Sequence, residues 1–168
     1  MNENKRMTAR RLAELSVLTA AALIIFVVEL RLPELSTVPG MKPGLANIIT
    51  VFCVYRYKPH ETAMVVAVRV FLGSLFASSF STIIFSAAGA FLCLAGMIPL
   101  SRILPKMPMW LCSVIGAVLH NIGQVAAAVA VTGSLSIMGY LPVLLAFGCA
   151  AGAFTGVCAQ LVSGRMKK

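Results

Sequence analysis

The stretch AVLHNIGQVAA, Ala117 to Ala127, decides how this chain is read. It sits inside an apolar run, Trp110 to Val131, long enough to cross a bilayer as a helix. Yet the middle of that run carries His120, Asn121 and Gln124. A polar side chain in hydrocarbon is costly unless it has a partner or a water-filled cavity. At helical spacing His120 and Gln124 lie one turn apart on one face, with Asn121 beside them. The rest of the chain reads as a cage around these three side chains.

The composition agrees with that reading. Of 168 residues, 60% are hydrophobic and only 11% are charged, which is too apolar for a soluble domain of this size. The chain is expected to be one transmembrane domain, residues 1–168. Its net charge of +9 does not point to nucleic acid, because the basic residues fall where a membrane topology places them. The acidic residues are Glu3, Glu14, Glu29, Glu34 and Glu61, and Asp is absent from the sequence. Cys53, Cys93, Cys112, Cys149 and Cys158 lie in apolar segments with no CxxC pair, so they read as small buried hydrophobes. The first apolar stretch is long and has no small-residue cleavage site before Leu32, so it is expected to remain as an anchor.

Apolar runs and breakers predict six spans, near 12–32, 44–57, 62–80, 83–104, 109–132 and 140–163. The second is short, so it is tilted, crosses a thin region, or begins inside the protein. Six spans put both termini on one side. That side then holds Lys5, Arg6, Arg10, Arg11, Arg56, Lys58, Arg102, Lys106, Arg165, Lys167 and Lys168. The other side holds only Arg31 and Lys42, with Arg69 inside the membrane. This asymmetry predicts cytoplasmic N- and C-termini in the cell membrane.

With that topology, Glu29, Lys42 and Asn47 lie in the outer half, where Asn121 and Gln124 also point. Gly40, Lys42, Gly44 and Asn47 would offer amides and a cation at a helix N-terminus, suited to an anion or a carbonyl. The other reading is a loop lysine in interfacial water and an asparagine used in packing. Glu29 is either a solvated interfacial carboxylate or a cavity group. Arg69 either snorkels to the surface or faces the interior toward a carboxylate, a carbonyl or a ligand. These groups, with His120 near the midplane, describe a small-molecule site with apolar walls, or a hydrogen-bond network that only holds helices together. Ala9, Ala13, Ser16 and Ala20 form a small-residue stripe for internal packing or for a partner. Gly89 and Gly96, and Gly148, Gly152 and Gly156, read as close-packing ridges. His60 and His120 fall on different helices, so no metal site is expected, and no phosphate-binding P-loop occurs.

Two segments carry a family resemblance. PGMKPGLANIIT (Pro39 to Thr50) and GAVLHNIGQ (Gly116 to Gln124) resemble the two signatures of the Gx transporter family, also labelled heptaprenyl diphosphate synthase component I. Pro43 stands where that pattern carries an aliphatic residue. The family is similar to the substrate-binding S components of energy-coupling factor transporters. The resemblance implies an all-α bundle of six transmembrane helices and capture of a small micronutrient or precursor from outside. It also implies docking on a transmembrane T component that carries ATPase subunits. By that analogy the stripe Ala9, Ala13, Ser16 and Ala20 becomes a partner surface.

The synthase label meets a chemical test. Enzymes similar to the catalytic synthase subunit hold magnesium on a diphosphate with aspartate-rich motifs, and magnesium needs oxygen ligands, chiefly carboxylates. A chain without Asp, and without paired Glu in the membrane, does not hold that chemistry itself. With that chemistry absent, the resemblance implies a transporter subunit that is not an enzyme and needs no cofactor. Its alternative is a noncatalytic membrane subunit of heptaprenyl diphosphate synthase serving menaquinone side-chain synthesis. The expected ligand-binding residues are Asn121 and Gln124, then His120, Asn47, Lys42, Glu29 and Arg69, with no catalytic residue.

Overall fold

A computed structural model describes residues 9–31, 44–76 and 80–165, with the side chains of 80–82 not described. Those residues are 91% helical with no strand, an all-α membrane protein. The helices are α1 (Ala9–Arg31), α2 (Asn47–Arg56), α3 (Pro59–Phe76), α4 (Phe80–Ile103), α5 (Met109–Thr132) and α6 (Leu141–Arg165). A 3-10 turn, Leu135–Tyr140, joins α5 to α6.

Among the described residues, four segments are long and apolar enough to cross a membrane: Ala9–Arg31, Ile83–Ile103, Met109–Thr132 and Leu135–Arg165. At 1.5 Å per residue, the 23 residues of α1 reach about 35 Å, enough for the hydrocarbon core. The 10 residues of α2 reach only about 15 Å. This helix begins inside the protein. Gly44, at φ +67, turns the chain into it, a conformation that a Cβ would strain. The Gly44 N–H donates to the Glu29 carboxylate, and Asn47 N–H closes back on Gly44 O at 2.9 Å.

The third helix starts at Pro59, earlier than the expected 62. The proline opens α3, where its missing N–H costs nothing. Glu61, two residues later, accepts the Lys58 N–H at 2.8 Å, the reciprocal half of a capping box. Gly133 ends α5 in the left-handed conformation, its N–H bonded to Val129 O at 2.8 Å.

Glycine sets how closely α4, α5 and α6 approach. A Cβ at Gly123 would lie 2.7 Å from Ala88 O and 3.0 Å from the Gly89 Cα. A Cβ at Gly152 would lie 2.9 Å from the Val114 Cα, and Gly156 meets the Trp110 backbone more closely still. The ridge Gly148, Gly152, Gly156 therefore packs on α5 within this chain. Ser113 and Thr155 bond across the same seam at 3.1 Å.

The core is thin and the outside apolar. Val51, Val54, Cys93, Met97, Cys112 and Ala159 form the main buried cluster, and Leu15, Cys53 and Val65 form a second. Meanwhile Val17, Ile24, Phe91 and Leu161 are 64–75% exposed. A water-soluble chain does not leave such residues bare on every side, whereas a bilayer solvates them. Ala9, Ala13, Ser16 and Ala20 are exposed on α1, so the small-residue stripe is not used for packing within the chain.

Candidate functional site

All six helices wall a cavity of about 370 Å3. Glu29 from α1, Asn47 from α2, Arg69 from α3, and His120, Asn121 and Gln124 from α5 all line it. Lys42, the seventh expected residue, lies outside the described residues. The α5 lining positions Ala117, His120, Asn121 and Gln124 follow i, i+3, i+4, i+7, one face of one helix.

Arg69 faces inward. The residue is only 9% exposed, and its Nη1 donates to Asn47 Oδ1 at 3.3 Å. Glu29 is 3% exposed, so it is not a solvated interfacial carboxylate. It holds the backbone of Gly44 and contributes charge opposite to Arg69 in the same cavity. In so apolar a setting a guanidinium and a carboxylate act over longer range than in water.

His120 and Gln124 fit because Gly89 has no side chain. A Cβ there would lie 2.7 Å from Gln124 Cγ, 2.8 Å from His120 O and 3.0 Å from His120 Cε1. Asn121 has a second use: its Nδ2 donates to Leu144 O at 2.7 Å, bridging α5 to α6 over Gly148. One of its amide N–H groups is thus committed to structure.

The wall also includes polar residues that sequence reasoning missed, among them Thr50, Ser74, Ser86 and Thr155. Thr50 lies one turn beyond Asn47, so helical spacing alone points to it. Nothing in the sequence singles out Ser86, because its place depends on how α4 rotates against α5. Among the described residues, no group of three His, Cys, Asp or Glu lies close enough to hold a metal ion. The arrangement offers fixed donors, one buried cation, one buried carboxylate and apolar walls, which is chemistry for holding a small polar molecule.

These features define an all-helical membrane protein with a polar cavity inside its bundle. The family model described as heptaprenyl diphosphate synthase component I matches residues 18–162, and the chain belongs to that family. No curated protein and no solved structure matches it.

Proposed function

We propose that this protein is a noncatalytic membrane subunit that holds a small molecule in the cavity between its helices. The observation that carries the reading is Arg69, a buried guanidinium that lines the cavity and is fixed by Asn47. Burying an arginine costs several kcal/mol, by about the effective penalty of one desolvated ion, and a bound anionic or carbonyl group offsets that cost. Glu29 adds a place for a donor or a cation, so the ligand is of mixed character. Asn47, His120, Asn121 and Gln124 supply hydrogen bonds, and Lys42 is proposed as a further contact.

In this reading the protein works like an S component of an energy-coupling factor transporter. It captures a micronutrient or precursor from the outer side and docks on a T component with ATPase subunits through Ala9, Ala13, Ser16 and Ala20. The exposure of that stripe supports the docking assignment. The basic-residue asymmetry supports cytoplasmic termini in the cell membrane.

The family match favours a second reading, in which the chain is the noncatalytic component I of a heptaprenyl diphosphate synthase. A catalytic partner would then supply the aspartate-rich motifs this chain lacks. Affinity purification in mild detergent, with mass spectrometry of what co-purifies, separates the two. A T component with ATPases supports the transporter subunit, and a soluble prenyl diphosphate synthase supports component I.

A further inference from the structure

A second recess, well apart in chemistry from the cavity, opens at the end of the bundle where α1 and α3 start and α2 and α4 finish. It has a volume of about 520 Å3 and is lined by Arg11, Arg56, Lys58 and Arg102 with Tyr55 and Tyr57. Four cations thus converge from three helix ends and one turn. Glu61 does not line the recess, and its carboxylate is already engaged by Arg11 at 3.0 Å and by the Lys58 N–H at 2.8 Å. Among the described residues, ion pairs involve Arg10 and Arg11, whereas Arg56, Lys58 and Arg102 take part in none. Glu61 offsets the charge of Arg11, and the three remaining like charges, gathered in one concavity, repel each other and draw in an anion.

The surroundings give the anion its class. The recess lies at helix ends, where the apolar runs stop and lipid headgroups begin. Beside Arg102, Ile103 is 74% and Leu104 49% exposed, an apolar flank against the charged hollow. Tyrosines at this depth are typical of a bilayer interface. We propose that the recess binds the phosphate headgroup of an anionic membrane lipid, with the acyl chains lying along the exposed end of α4. A soluble phosphate or diphosphate has the same head chemistry but no use for the apolar flank.

The test uses the full chain in nanodiscs of phosphatidylcholine with or without phosphatidylglycerol, read by native mass spectrometry for retained lipid. A detergent-solubilised sample is titrated with inorganic pyrophosphate in parallel. The triple variant Arg56→Gln, Lys58→Gln, Arg102→Gln is expected to bind phosphatidylglycerol on the order of 100-fold more weakly, from about fivefold per charge. A control that loses equal charge from the tail, Arg165→Gln, Lys167→Gln, Lys168→Gln, is expected to retain the lipid. If the triple variant does not fold, the three single variants carry the test at about fivefold each. Equal retention by wild type and recess variant, or equal loss in the control, would overturn the proposal. Pyrophosphate binding without lipid binding would overturn the lipid assignment, as would charge-dependent capture of an acidic protein when no lipid is retained.

Discussion

Arg69 Nη1 lies 3.3 Å from Asn47 Oδ1, so a buried cation in the middle of α3 is tied to the first residue of the half-length helix α2. The bond fixes both partners. It points the guanidinium into the cavity and anchors the start of a helix that has no side-chain cap of its own. Removing the acceptor is therefore worse than removing both groups. Asn47→Ala is expected to cost about 1–3 kcal/mol, the range for stranding a buried charged donor. Adding Arg69→Met should recover most of that loss, because an apolar side chain of similar length needs no partner. Thermal melts of the two single variants and the double variant in one detergent provide the cycle.

Asn121 and Gln124 should separate. Asn121 bridges to Leu144 O, so Asn121→Ala is expected to lose about 1 kcal/mol of stability as well as any ligand contact. Gln124 lines the cavity against Gly89, and Gln124→Ala should leave the melt within about 0.5 kcal/mol of wild type. Equal destabilisation of both would mean that the polar face of α5 is structural throughout.

Glycine positions make a graded series. Gly156→Ala drives a Cβ into the Trp110 backbone and should cost about 1–3 kcal/mol or more. At Gly96 the obstacle is the flexible end of Leu119, so Gly96→Ala should cost less. Nothing lies within 4 Å of a Cβ at Gly164, and Gly164→Ala should be neutral or stabilising by up to about 1 kcal/mol. Melting temperatures of the three variants check the order.

Glu61 precedes the apolar part of α3 and sits at the bundle end. The forked bond from Arg11, then the Lys58 N–H, hold its carboxyl down at about 2, against a usual value near 4.5. A carboxyl with a depressed folded-state pKa contributes its full stability above the unfolded value. That contribution fades as the pH falls from about 4.5 toward 2. Wild type should therefore lose melting temperature across this window, and Glu61→Gln should show a flatter profile there with a lower plateau at neutral pH.

Much of this was legible in the sequence. The polar face of α5 follows from spacing alone, and Glu29, Asn47 and Arg69 stand out as polar groups in apolar runs. Whether Arg69 snorkels or turns inward is set by where Asn47 sits in space, and periodicity does not carry that information. Ser86 and Thr155 were invisible for a similar reason, since small hydroxyl residues are common on packing faces and only the rotation of α4 and α6 brings these to the cavity. The third helix starts at Pro59, before the expected 62, because a proline suits both a loop and the first turn of a helix. The Glu61 cap two residues later was the local sign of the second.

On this account a small molecule is held in the cavity by Arg69. The direct measurement is mass spectrometry of small molecules released from wild type and from Arg69→Met, both purified in mild detergent and both shown to be folded by melting. A compound present with wild type and lost from the variant is the predicted result. No compound with wild type, or the same compound in equal amount with both, would contradict it.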